Sequence, residues 1–286
     1  MSGKVIDGSR KIDTPSGTIS YLEEGTGPVA LFVHGVLLNK HLWRHQLAGL
    51  SDIRRCIAVD LLAHGGTEIQ PTQEVSVTAN AKMLGEVLDA LKIDRVDLVG
   101  NDSGGGICQI FAALNPDRVR TLTLTNCDVH DNWPPAAFLP FLAMAAAGGL
   151  EDALKGMLAD KGVFRSPSAL GPAYEHPENV TDADIDTYLT PFVRSAQKTR
   201  DLQRFLAAFD NRQTVAIEPQ LKKLRAPTLI VWGTDDVFFP VKWAHWLAKT
   251  IPGAKPPVEL AGARIFFPEE RANEFNRIIR SLLLKA

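Results

Sequence analysis

Val96-Asp97-Leu98-Val99-Gly100-Asn101-Asp102-Ser103-Gly104 is an apolar run that stops at one glycine, turns through polar residues and meets a second glycine. The β-branched and leucine side chains at 96–99 predict a buried strand that breaks at Gly100. Beyond it Ile107, Phe111 and Leu114 recur at helical spacing, and the pattern stops before Asn115-Pro116, where a helix is expected to end. A strand that feeds a helix through so short a turn puts its apex residue, Asp102, in strained backbone. Glycine two positions to either side leaves the turn room. The helix N-terminus behind it favours negative charge at the apex.

Working outward, 29–33 reads as a buried strand ending at His34-Gly35, and 56–59 as the next, ending at Asp60. Met83, Leu84, Val87, Leu88 and Leu91 give 75–91 a helical face. Further strands are expected at 122–125, 228–232 and 257–260, with helices over 241–249 and 269–284. Short apolar runs alternating with amphipathic stretches predict an α/β fold with a mostly parallel sheet and covering helices. Between 131 and 220 the strands disappear. Trp133-Pro134-Pro135 opens that region, Thr181 with Asp184 forms a capping box, and Leu202, Phe205, Leu206 and Phe209 make an apolar stripe. The expected organisation is a core of 1–130 and 221–286, with a helical cap of 131–220 lying over the site as a lid. Trp133, Phe138, Leu139, Phe141, Leu142 and Met144 supply apolar surface for a pocket wall.

Composition narrows the function. The chain has 286 residues, 45% of them apolar, and a net charge of −2. That balance predicts a packed core and no nucleic-acid surface. Residues 1–11 are polar, without the apolar stretch of a signal peptide, and no apolar run is long enough for a membrane span. Three cysteines, Cys56, Cys108 and Cys127, show no paired spacing, which fits a reduced cytoplasm. Scattered histidines and the lack of Cys/His spacing predict no metal site. The elbow glycines are accounted for by turn geometry, so no cofactor is implied. A small, mostly apolar organic molecule is the expected partner; the oligomeric state is left open.

Several motifs stand in order along the chain: His34-Gly35 after a strand, Trp43, the run Asp60 to Thr67, the elbow Gly100-Asn101-Asp102-Ser103-Gly104, and Trp232-Gly233-Thr234-Asp235-Asp236 with Pro240. Over nearly its full length the chain resembles the α/β-hydrolase superfamily, whose nucleophile elbow is G-x-nucleophile-x-G. An aspartate at the apex resembles the haloalkane dehalogenase and epoxide hydrolase branch. There the carboxylate attacks carbon, and water hydrolyses the resulting ester. The resemblance implies Asp102 as nucleophile and Asp236 as triad acid, with Asp235 as fallback. Asp128 stands at a second place where dehalogenases put that acid. The backbone N–H groups of Val36 and Ser103 would form the oxyanion hole. His34 reads as a brace for the elbow loop, kept as an auxiliary, and His64 as a structural residue in its turn.

The chain departs from that branch in the base. Family order is nucleophile, acid, histidine, yet the last histidine is His245, on the expected 241–249 helix. Set against the family's G-x-G-H-F, the loop 261–270 puts Ile265 where histidine belongs. His130, after a strand end, is the candidate substitute base. Serine, not the dehalogenases' halide-holding tryptophan, follows the nucleophile. The H-G-x-P proline is replaced by Leu37. The expected cap holds only Tyr174 and Tyr188 for the paired tyrosines of epoxide hydrolases. Three readings follow: a hydrolase using an Asp102 ester and an atypical base, acid–base chemistry by Asp102 without a covalent intermediate (lyase, isomerase or cofactor-free), and a catalytically silent ligand-binding homologue.

Overall fold

The computed structural model describes residues 8–285, so most of the polar segment 1–11 lies outside the described residues. Eight strands form one sheet: β1 (Arg10–Thr14), β2 (Gly17–Glu24), β3 (Val29–Val33), β4 (Arg55–Val59), β5 (Val96–Asp102), β6 (Val119–Cys127), β7 (Thr228–Gly233) and β8 (Val258–Leu260). Their order is β1-β2-β4-β3-β5-β6-β7-β8. β2 runs antiparallel to both β1 and β4, and the pairs from β4 to β8 are parallel. β3 and β5 are buried along their whole length, as strands covered on both faces must be. The sequence reading did not foresee the β1–β2 hairpin: β1 is short, polar and largely exposed, and the buried centre of β2, Ile19 to Leu22, mixes polar and apolar residues in too short a run to stand out.

Helices α1 (Arg44–Leu50), α2 (Val77–Ala90) and α3 (Ser103–Leu114) follow β3, β4 and β5. Between β6 and β7 the described chain is purely helical. It contains α4 (Leu139–Ala146), α5 (Leu150–Ala159), α6 (Lys161–Arg165), α7 (Asp182–Val193), α8 (Ala196–Ala207), α9 (Arg212–Val215) and α10 (Glu218–Leu221). The capping box stands at the start of α7, with Asp184 N donating to Thr181 Oγ1 and Thr181 N to Asp184 Oδ2. Then come α11 (Lys242–Thr250), α12 (Phe267–Glu270) and α13 (Ala272–Leu283). The expected single last helix is therefore two. Pro268 opens α12, and Arg271 leaves helical backbone where it bonds Glu175 and the Ala261 carbonyl. No single helix among the described residues is long and apolar enough to cross a membrane.

Two features fix the site end of the sheet. β5 does not stop at Gly100 but continues to Asp102, with a register shift between them, and Asp102 aligns with Cys127 on β6. At the other end of β5, Asp97 is fully buried and accepts from Arg54 Nε (2.7 Å), Arg120 Nη1 (2.9 Å) and Thr121 Oγ1 (2.9 Å). A buried charge persists only when it is paired and hydrogen-bonded in this way. The helical insertion is tied to the core by Arg44, which donates to Tyr188 Oη (3.0 Å), Asp184 (3.1 Å) and Glu269 (2.6 Å).

Candidate active site

The carboxyl ends of the parallel strands open on a narrow cleft. In open α/β sheets this is where ligands bind. Val36, Asp102, Ser103, Asp128 and Ile265 line it from the sheet side. Pro135, Phe138, Leu170, Ala173 and Phe209 come from the insertion, and Phe238, Phe239 and Phe266 from the loops after β7 and β8. Of the six apolar residues expected to wall a pocket, only Phe138 does so. Trp133 is buried against Phe209, and Leu139 is half-exposed. Phe209, from the expected stripe, reaches the cleft; Phe238, Phe239 and Phe266 gave no periodic signal, because they sit on loops.

Asp102 has φ +55 and ψ −134, a conformation that a non-glycine residue occupies only where the surroundings impose it. The imposing neighbour is Gly35, where a Cβ would stand 2.1 Å from Asp102 Oδ2. That absence of a side chain lets Val36 N donate to Asp102 Oδ2 at 2.9 Å. Burial pushes the Asp102 carboxyl up to about 8; the Val36 N–H pulls the other way, the Asp236 charge raises it further, and the Ser103 N–H lowers it. We expect Gly35→Ala to displace the carboxylate from Val36 and reduce turnover by roughly 10²- to 10³-fold, the usual effect of losing one such donor. Steady-state kinetics beside a melting curve would check this; unchanged turnover would mean that the Val36 contact has no catalytic use.

Asp236 follows β7 and is nearly fully buried. Its Oδ2 accepts from Asn126 Nδ2 (2.7 Å) and its Oδ1 from Phe238 N (2.8 Å), so both oxygens are held. Burial raises it to about 7 against those two bonds. Asn126, at the end of β6, also bonds Gly233 through its amide and its carbonyl oxygen. Sequence reasoning missed it, although an asparagine inside a buried strand is a signal in itself. Asp235 lies on the exposed side, its Oδ1 accepting from Thr234 Oγ1.

Asp128 is buried beside the elbow, its N–H 3.4 Å from the Asp102 carbonyl oxygen. Its Oδ2 has no hydrogen-bond partner among the described residues. Burial first, then the Asp102 charge, push its carboxyl well above the usual range; the Ser103 hydroxyl opposes them. Ile265 occupies the cleft wall next to Asp102, and its carbonyl accepts from Asn101 Nδ2 at 2.8 Å.

No histidine among the described residues lines the cleft. His34 is fully buried, with Nδ1–H donating to Gly35 O (2.7 Å) and Nε2 accepting from Leu61 N (3.1 Å). Both ring nitrogens are used inside the elbow loop, and burial lowers it to about 4. His64 is likewise buried, lowered to about 3, and packs edge-on against Phe192 and Phe205. His130 does not reach Asp102. Its ring packs on Trp246 (4.9 Å) and its Nε2 meets Glu218 at 3.1 Å. The backbone at His130, φ +50, turns the chain there into the insertion. His245 sits on α11, paired with Glu259 at 3.0 Å. Tyr174 and Tyr188 do not line the cleft either. Tyr188 Oη lies between Arg44 and Glu269, and Tyr174 packs on Phe266 with its hydroxyl unpartnered.

The family model for the alpha/beta hydrolase fold matches residues 28–270, and the chain belongs to that family. A protein named haloalkane dehalogenase 2 from Mycobacterium tuberculosis is 29% identical over 274 residues, covering 92% of this chain and 90% of the relative. One named epoxide hydrolase 1 from Siraitia grosvenorii is 26% identical over 298 residues, covering 89% and 91%. Among solved structures, a putative lipase from Acinetobacter baumannii superposes with a TM-score of 0.82 at 23% identity, covering 97% of this chain and 91% of its own; at that identity the likeness speaks for the fold.

Proposed function

We propose that the chain hydrolyses a small, mostly apolar organic electrophile through an ester formed on Asp102, with a base other than histidine. The observation that carries this reading is the carboxylate of Asp102 itself. It stands at a strained elbow, one oxygen held by the Val36 N–H, and it opens on a cleft whose other walls are almost wholly apolar. Desolvation there strengthens the nucleophile once it is ionised, and the same N–H would carry the oxyanion when water attacks the ester. The helices of 131–220 act as the cap that keeps bulk water out. The relatives' names point to haloalkanes and epoxides. An oxygen leaving group fits better: the lining includes no tryptophan, asparagine or other side-chain N–H for a departing halide. Three free, buried cysteines fit a reducing compartment such as the cytoplasm.

One observation favours the acid–base reading: with its carboxyl at about 8, Asp102 is protonated at neutral pH and can donate a proton. The two readings predict opposite slopes. A nucleophile must be ionised, so adduct formation should rise with pH, roughly tenfold per unit below about 8, and level off above. A neutral acid loses activity over the same range. The experiment is a single turnover in H₂¹⁸O with styrene oxide across that pH range, read by peptide mass spectrometry. One ¹⁸O in Asp102 with a rising profile supports the ester. Turnover without ¹⁸O in Asp102, and with a falling profile, replaces it by acid–base chemistry.

A further inference from the structure

Every group that family chemistry would use to move a proton at this site is absent or occupied. Ile265 stands in the place of the base. His34, His64 and His130 have their ring nitrogens turned to other partners or into the core. Asp236 has both oxygens filled by Asn126 and Phe238. Tyr174 and Tyr188 lie outside the cleft. One polar atom remains buried, unpartnered and on the cleft wall: Oδ2 of Asp128. β5 and β6 are neighbours in register at Asp102 and Cys127, so Asp128 is one residue beyond the partner of the elbow aspartate. Both carboxyls line the same cleft, and the Asp102 charge is felt at Asp128, where it adds to burial in raising that carboxyl.

Resting on the Asp102 ester reading, we propose that Asp128 is the proton donor and then the general base of this enzyme, doing in turn the work of the missing tyrosines and the missing histidine. The pair begins with one proton, on Asp128. The ionised Asp102 attacks the ring carbon of an epoxide; the carbon–oxygen bond breaks, and the oxygen takes the proton from Asp128. Asp102 is now a neutral ester and Asp128 a carboxylate. Ring opening has taken the proton from Asp128, and esterification has removed the Asp102 charge that, after burial, raises that carboxyl, so the second step meets an ionised base. Water attacks the Asp102 ester carbon while Asp128 takes its proton, with the oxyanion facing the Val36 N–H. Collapse of the intermediate breaks the ester carbon–oxygen bond, and the departing alkoxide takes that proton from Asp128. The diol leaves, and the regenerated acid on Asp102 returns its proton to Asp128. Two carboxyls alternating as acid, nucleophile and base follow the logic of retaining glycosidases.

Two probes separate the roles. Styrene oxide needs a proton to open; 1-bromobutane releases bromide without one, and the proton left on Asp128 then passes to solvent before that carboxylate acts as base. With Asp128→Asn, the alkyl ester from 1-bromobutane should form at an undiminished rate and accumulate, because its hydrolysis loses roughly 10²- to 10⁴-fold. Ring opening of styrene oxide should fall by a similar factor in the same variant. Asp102→Ala should give no adduct with either probe, and Asp128→Glu should recover part of the ester hydrolysis. A merely structural role for Asp128 would slow both alkylations alike, and that result overturns the proposal. Ester hydrolysis in Asp128→Asn as fast as in the wild type also overturns it, and leaves the Asp102 ester standing. If neither probe gives an adduct or ¹⁸O in Asp102 on any variant, the ester reading itself falls and takes this one with it. Should Asp128→Asn not fold, the pH profile of ester hydrolysis in the wild type decides. A rate that is level near neutral pH and falls at acid pH as Asp128 takes up a proton supports the base, and one that stays level into acid pH removes it.

Discussion

In an Asp128→Asn background, Ile265→His is expected to speed hydrolysis of the Asp102 ester by roughly 10²- to 10⁴-fold, the usual worth of a positioned general base. The side chain at 265 forms part of the cleft wall beside Asp102. Its backbone is fixed by the Asn101 amide at 2.8 Å. Asp236, which the resemblance makes the triad acid, follows β7 and is held by Asn126 and Phe238. An imidazolium between the two aspartates would also draw the Asp102 carboxyl down from about 8, so the lower edge of the pH profile should move to lower pH with the faster hydrolysis. Placing an imidazole among Phe239 and Phe266 costs stability, on the order of 1–3 kcal/mol for a polar group without full pairing. Pre-steady-state kinetics with 1-bromobutane would read the ester's lifetime directly. In the double variant with Asp128→Asn, hydrolysis should survive, because histidine replaces the second carboxyl. An ester no shorter-lived than in Asp128→Asn alone would show that a histidine at 265 does not act as its base.

The sequence made the elbow legible because a strand, a tight turn and a helix leave strong local signals: β-branched run, glycine pair and 3.6-residue spacing. Asp102 at φ +55 stands at the expected apex. Parallel core strands were equally plain, being apolar throughout, whereas the β1–β2 hairpin was not. What local pattern does not carry is which side chains meet across the sheet. Asn126 braces Asp236 over 110 positions of sequence, and Asn101 pins Ile265 over 164. Neither pairing leaves a periodic trace. The same limit explains His130: its position after β6 put it near the site in sequence, but the turn at its own positive φ swings the ring to Glu218 and Trp246. The cleft's aromatic wall was missed for a similar reason, since Phe238, Phe239 and Phe266 lie on loops where hydrophobic spacing has no period to obey.

Asp102→Asn should abolish turnover and at the same time stabilise the fold, by an amount that grows with pH. The carboxyl ionises near 3.8 when unfolded and near 8 when folded, so folding takes up a proton between those values. The favourable state of this group is therefore fully present below about pH 4 and is lost as pH rises through about 8. At pH 7 the penalty is on the order of 4 kcal/mol, from ~1.36 kcal/mol per unit. The isosteric amide carries no charge and escapes that penalty. It returns part of the gain, about 1–3 kcal/mol, because one N–H is left without a partner in the apolar cleft. The net expectation is about 2 kcal/mol near neutral pH, or roughly 4 °C in melting temperature for a chain of this size. Removing the Asp102 charge also relieves its repulsion with Asp236 and Asp128, which acts in the same stabilising direction. Melting curves of wild type and variant at about pH 4.5 and about pH 8.5 would test it. The two should nearly coincide at the lower value and separate at the higher. Parallel curves would mean that Asp102 is ionised in the folded protein at all these pH values. The nucleophile would then be ready at every pH tested, and the rise of adduct formation toward about pH 8 should be absent as well.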